Sequence, residues 1–199
     1  MANTIDVLGD DAVADALIER TITEYIDDTI SGTYGSLSDM FAGCEQLTNV
    51  ELPNLEEVYQ GMFTGCSSLV SVNLPKLTHV YHQCFYNCSA LRQLVLPATT
   101  NVYGSAFVSC SALVSIDLGS VMYFSDGTNV YNNFKGCGAL GRIIMRGNSV
   151  PMLSSNCFRV LPSTTLFYVP DDLVDSYKSA TNWSRYGDRI KGISELPEE

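Results

Sequence analysis

Two histidines and one tryptophan in 199 residues, with 11 Lys and Arg against 22 Asp and Glu, leave this chain poor in the residues on which most enzymes and nucleic-acid binders depend. The net charge of −11 repels a polyanion and removes the counterion release that drives most nucleic-acid binding, so neither DNA nor RNA is an expected partner. The same shortage of bases argues against an anionic membrane surface. No run of about eighteen apolar residues is present for a spanning helix, so membrane insertion is not expected. P-loop, dinucleotide fingerprint, nucleophile elbow and H-E-x-x-H are all missing. No catalytic residue and no cofactor is therefore assigned, and an enzyme is not the expected reading.

What the chain does contain is apolar material. At 46% hydrophobic residues, a chain of this length buries a core as one ordinary domain. Its charge is unevenly spread: residues 1–30 carry −7, residues 31–170 carry −1 and residues 171–199 carry −3. The near-neutral middle is built differently from the two ends.

That middle is periodic. FAGCEQLTNVELPNLEEVYQGM starts at Phe41, FTGCSSLVSVNLPKLTHVYHQC at Phe63, and FYNCSALRQLVLPATTNVYGSA at Phe85. FVSCSALVSIDLGSV follows from Phe107 and FKGCGALGRIIM from Phe134. Each unit reads F-x-x-C-x-x-L-x-x-[VIL]-x-[LM], with a period of 22 until Phe107, then intervals of 27 to Phe134 and 24 to Phe158. Leu69, Val72 and Leu74 alternate with polar residues, which predicts a half-buried strand. Pro53, Pro75 and Pro97 end such strands, because proline has no N–H for the next ladder bond. The other half of each unit adds further interior residues, Leu77, Val80 and Phe85 in the second. One repeat cannot bury both halves alone, so the units must stack, with their strands in a parallel sheet along one face.

The pattern F-x-x-C-x-x-L-x-x-[VI]-x-L-P at this period resembles the BspA-like leucine-rich repeats of bacterial, protozoan and phage-encoded surface proteins, over residues 19 to about 170. The opening MANTIDVLGDDAVADALIERTITEYIDD is similar to the lead-in of repeat proteins from gut bacteria and their tailed phages, with ERTITEY as a degenerate first strand. The resemblance implies an α+β repeat fold: a right-handed leucine-rich-repeat-like solenoid with one parallel β-sheet face and short capping helices. It further implies a non-catalytic recognition or adhesion role toward a protein or cell-surface glycan, with a phage particle as one setting. A structural spacer or assembly protein without external ligand is the alternative. The first ten residues show neither a basic n-region nor an apolar h-region, so the expected location is the virion or the cytoplasm, or the surface by another export route. The oligomeric state is not legible.

Five of the seven cysteines, Cys44, Cys66, Cys88, Cys110 and Cys137, each follow a repeat Phe by three residues. Their phase predicts a ladder of small buried side chains at one corner rather than disulfides, since stacked equivalents have parallel Cβ vectors. Cys84 and Cys157 lie three coils apart and are also expected as thiols. His79, His82, Cys84 and Cys88 fall within ten residues, but zinc needs converging ligands. Cys88 faces inward on the ladder while both histidines hold variable outer positions. Surface histidines, not a metal site, are the reading.

Two surfaces are candidates for a partner. Alternation places Asn49 and Glu51, Ser71 and Asn73, Gln93 and Val95, Ser115 and Asp117, and Arg142 and Ile144 on the exposed sheet face, with Asn73, Gln93 and Asp117 as its candidate contacts. Tyr59, Tyr81 and Tyr103 recur at the repeat period beside inward Val58, Val80 and Val102, and should form an aromatic row suited either to recognition or to packing on itself. The insertion Met122–Asn133 should lie beside that row, which adds Asp126 and Asn129 as loop contacts. The remaining ligands of a calcium loop are missing around these two, and an ordinary turn is expected there. The ends of the stack must be covered. Residues 1–18 are assigned to an N-terminal cap, 19–170 to the solenoid, and 171–199 to a C-terminal capping helix and tail with Leu173, Val174 and Tyr177 on one face and Trp183 closing the apolar end.

Overall fold

The computed structural model describes residues 22–26, 32–34, 38–58, 60–124 and 132–198. The expected N-terminal cap lies outside them, as do Tyr59, Asp126 and Asn129. Over the described residues the chain winds into a parallel-strand β-solenoid of about six turns. The first strand of each coil builds one face: β1 (Glu24–Ile26), β3 (Asn49–Glu51), β5 (Ser71–Asn73), β7 (Gln93–Leu96), β9 (Ser115–Leu118), β11 (Arg142–Met145) and β13 (Leu166–Val169). Every pairing on this face is parallel, and β9 and β11, for instance, match Ser115 with Arg142 and Ile116 with Ile143. Inward positions carry Val50, Leu94, Ile116, Ile143 and Phe167, all buried, as the alternation requires.

The second half of each coil, expected only to supply interior side chains, is also strand. β2 (Gly32–Tyr34), β4 (Leu55–Val58), β6 (His79–Val80), β8 (Asn101–Val102), β10 (Tyr123–Phe124) and β12 (Met152–Leu153) form a continuous six-stranded parallel sheet on the opposite side. These strands are two to four residues long. So short a segment shows too few alternations to be read as a strand, and only the stacking of coils supplies its ladder partners.

Between the sheets runs the phenylalanine corner. Phe63 and Phe85 stack with centroids 5.3 Å apart, and Phe85 and Phe107 with centroids 5.7 Å apart. The ladder cysteines do more than fill space there. Cys66, Cys88, Cys110 and Cys137 donate their thiols to the carbonyls of Phe41, Phe63, Phe85 and Phe107 in the preceding coil, at 3.0–3.2 Å. All seven cysteines are reduced and buried.

The residue two places after each repeat phenylalanine takes a left-handed conformation: Gly43, Gly65, Asn87, Ser109 and Gly136, with φ between 59° and 84°. That twist points its N–H along the stack. Gly43, Gly65, Asn87 and Ser109 each donate to a carbonyl of the following coil at 2.7 Å. Gly119 replaces the strand-ending proline of the earlier units because its N–H is needed, at 3.0 Å from the Leu96 carbonyl, and because a Cβ there would collide with the Pro97 carbonyl.

The C-terminal cap closes both sheets. A 3-10 turn at Asp171–Leu173 leads into helix α1 (Val174–Ser179), after which β14 (Ile190–Gly192) pairs with β13 as the last strand of the first sheet. On the second sheet, β12 is the final strand, and side chains take the place of a further neighbour. Trp183 Nε1 donates to the Pro151 carbonyl at 2.8 Å, Asn182 Nδ2 to Leu153 at 2.7 Å and Arg185 to Ser155 at 2.7 Å. The edge carbonyls are thereby occupied. Trp183 is fully buried against Tyr177, Phe167 and Phe124, as its expected place at the apolar end requires.

Candidate functional site

The outer side of the first sheet presents its side chains in rows, in strict register from β3 to β5 and again from β7 to β11. One row runs Asn49, Ser71, Gln93, Ser115 and Arg142, and its neighbour runs Glu51, Asn73, Val95, Asp117 and Ile144. Ser71, Asn73, Gln93 and Val95 are exposed. Val95 shows 57% of its surface, so the polar face carries an apolar centre.

Farther along, the expectation of an open face fails. Ser115 and Ile144 are buried, at 7% and 5% exposure, because the tail after β14 crosses this end of the sheet and sets Leu196 and Pro197 against it. A cleft of about 210 Å³ remains between tail and sheet, lined by Gln93, Val95, Ser115, Asp117 and Arg142 among others. Asp117 is half-buried and clamped by Arg146, whose Nε lies 3.0 Å from both carboxylate oxygens, with an Arg146 nitrogen 2.6 Å from Oδ2. That carboxylate raises the Arg146 pKa further, against the smaller effect of burial. Arg142 Nε donates to Ser115 Oγ at 2.9 Å. Asp117 is thus engaged within the fold, whereas Asn73 is exposed and Gln93, which lines the cleft, is exposed as well.

The tyrosine row lies on the other sheet. Tyr81 and Tyr103 follow β6 and β8 and stack with centroids 4.8 Å apart and planes 4° apart. Both are half-buried. His79, in β6, stacks on Tyr81 at 5.6 Å, and its Nδ1 lies 3.1 Å from Glu57 in the adjacent strand. His82 Nδ1 lies 3.0 Å from the Gly104 carbonyl. The two histidines therefore belong to an aromatic edge with Tyr81 and Tyr103, which their variable positions in the repeat did not foretell. Since Tyr81 and Tyr103 cover one face of each other, the pair offers ring edges and hydroxyls more than a flat platform. Cys84 and Cys88 are buried away from solvent, and no cluster of three metal-ligating side chains occurs among the described residues. Asp126, Asn129 and Tyr59 lie outside the described residues.

A hollow of about 490 Å³ that the sequence did not signal opens on the phenylalanine corner, between Gln83, Tyr86, Val108, Asn132, Lys135 and Val160. Its lining comes from four successive coils, residues far apart in the sequence.

Residues 37–161 match the BspA type leucine-rich repeat region in 6 copies. The chain belongs to that family. No curated protein matches it. Among solved structures, this BspA-type chain is similar to the pneumococcal vaccine antigen PcpA at a TM-score of 0.57 and 14% identity, covering 96% of this chain and 40% of that one. The Treponema pallidum leucine-rich repeat protein TpLRR has a TM-score of 0.53 and 20% identity, covering 86% of this chain and 78% of its own. A leucine-rich repeat protein from Bacteroides ovatus has a TM-score of 0.53 and 19% identity, with 83% of this chain and 42% of that chain covered. At these identities the likeness is one of fold. The BspA-type chain spans well under half the length of PcpA.

Proposed function

We propose that this BspA-type chain is a non-catalytic recognition module whose open sheet face, centred on Asn73, Gln93 and Val95, engages a protein partner. Repeats of this fold commonly mediate protein binding or adhesion. The observation that carries the reading is the contrast along one sheet. The tail covers the downstream coils, where Ser115 and Ile144 are buried, while Asn73, Gln93 and Val95 stay exposed. Such a mixture of apolar centre and polar surround is the composition of a protein-binding patch. A glycan partner draws its support from the Tyr81 and Tyr103 edge. The mutual stacking of those rings takes one face from each, which leaves less ring surface for a sugar to lie on. The spacer reading is disfavoured by the C-terminal cap, whose side chains occupy the edge where a neighbouring copy would add.

The test is a binding panel of immobilised extracellular-matrix proteins and arrayed glycans, probed with the wild-type chain, Val95→Glu, Gln93→Ala and Tyr81→Ala. A protein ligand weakened about 10-fold or more by Val95→Glu and little by Tyr81→Ala supports the sheet face, as expected when a central contact is lost. A glycan ligand lost only with Tyr81→Ala moves the site to the aromatic edge. Binding that survives all three substitutions removes both surfaces.

A further inference from the structure

The first sheet is broken at one place. Its strands pair as β1-β3-β5 and as β7-β9-β11-β13-β14, with no ladder between Ser71–Asn73 and Gln93–Leu96. At the equivalent boundaries a repeated pair of bonds is present: Val70 and Ser71 donate to the Thr48 carbonyl at 2.9 and 3.1 Å, and Val114 and Ser115 to Arg92 at 2.8 and 3.3 Å. Gly141 and Arg142 do the same to Val114, at 2.9 and 3.2 Å. Among the described residues, no such bond joins Arg92 or Gln93 to Val70, nor Leu74 to Val95, although Leu52 does reach the Asn73 carbonyl one coil earlier at 3.0 Å.

Burial marks the same line independently. Val72 points inward from β5, yet it is part-exposed, while its counterparts Val50, Leu94 and Ile116 are at 0–2%. Val70 and Val95, beside the break, are among the most exposed large apolar residues described.

Everything else across this boundary is intact. β6 pairs with β8 through His79 with Asn101 and Val80 with Val102. Phe63 and Phe85 remain stacked, and Cys88 Sγ reaches the Phe63 carbonyl at 3.2 Å. Ala90 N donates to Ser67 at 3.1 Å before the gap, and Thr100 N to Thr78 at 2.8 Å after it.

We infer that the solenoid is jointed here: the coils up to Leu74 and those from Arg92 onward part along the first sheet, turning about the second sheet and the Phe63–Phe85 stack. In a solenoid each coil is held only by its neighbours, so the boundary with the fewest bonds opens first. Opening changes the spacing between Asn73 and Val95 on the outer face, whatever that face binds.

Hydrogen exchange resolved by residue tests the joint on the intact chain. The amides of Leu74, Arg92 and Gln93 should exchange about 100-fold faster than those of Val114 and Ser115, while Ala90 and Thr100 stay protected. Trypsin, which cuts only locally opened chain, should cleave native protein at Lys76 or Arg92 about 10-fold faster than at Arg142 or Arg146. Equal protection of Arg92 and Val114 would mean a closed sheet and overturn the joint. So would Ala90 and Thr100 exchanging as fast as Arg92, because the coils would then release without a turning axis. Trypsin without preference among the four sites would likewise overturn it.

Discussion

The Cys110 thiol donates to the main-chain carbonyl of Phe85, 25 residues earlier in the chain, across 3.0 Å. The same bond recurs in the coils on either side. It explains why the repeat holds cysteine rather than alanine at a site where no disulfide forms: the corner takes a small apolar side chain that also gives a second donor to a buried carbonyl already bonded to a backbone N–H. The Phe85 carbonyl also accepts from Cys88 N at 3.3 Å, so Cys110→Ala removes one of two donors and should destabilise the fold by about 0.5–1.5 kcal/mol, the usual net worth of one hydrogen bond. Cys110→Ser keeps a donor and should cost less. Urea unfolding of the two variants checks this; a serine variant weaker than the alanine variant would show that packing alone selects the residue.

The buried thiols also make stability depend on pH. Burial pushes the thiols of Cys84 and Cys88 well above the ordinary range, and Cys110 is raised by the adjacent Cys137 thiol and by burial. In the unfolded chain these groups ionise first. Their contribution is therefore fully present below about pH 8.5 and is lost as pH rises toward the folded values. Stability should be flat with respect to these thiols between about pH 6 and 8 and fall above about 8.5, by up to about 1.4 kcal/mol per pH unit for each. Cys84→Ala should show a shallower decline between pH 8 and 10 in chemical denaturation; a slope equal to the parent's would refute the assignment.

Phe85 lies between Phe63 and Phe107 in the stack and is fully buried. Phe85→Ala leaves a cavity in the middle coil and should cost about 3–5 kcal/mol. A loss under about 1 kcal/mol in urea unfolding would be incompatible with that burial.

Ser109 occupies the left-handed corner with φ 63°, where Gly43, Gly65 and Gly136 stand in other coils. A side chain in that conformation costs about 1–2 kcal/mol, partly offset by the greater freedom of an unfolded glycine. Ser109→Gly should stabilise the protein by about 0.5–1 kcal/mol. A lowered melting temperature would show that the Ser109 side chain contributes more than its backbone strain.

Trp183→Phe keeps an aromatic ring against Tyr177 and Phe167 but removes the donor from the Pro151 carbonyl. The expected loss is about 1–3 kcal/mol. An unchanged unfolding midpoint would mean that the ring alone closes the end of the sheet.

The repeat, its phase and the identity of the first-sheet strands were legible because each rests on a short local rule repeated five times: Phe, then Cys, then an alternating apolar run. The aromatic edge was legible in part. The period of Tyr81 and Tyr103 foretold their stacking, but nothing local placed His79 against Tyr81 and Glu57. Asp117 was read as an outward contact from alternation alone, and alternation cannot see Arg146, 29 residues later, folding over it.

The sequence by itself determined the solenoid, since a 22-residue unit with two apolar halves has no other way to bury both. It also determined that the cysteines would be thiols, because a ladder in phase cannot bridge itself. Only the tertiary structure decided which part of the sheet face stays open, that the second half-coils join into a sheet, and that the first sheet parts between β5 and β7. Those features depend on how the tail and neighbouring coils meet in space, and hydrogen bonds between residues 22 or more positions apart leave no trace in the local order of residues.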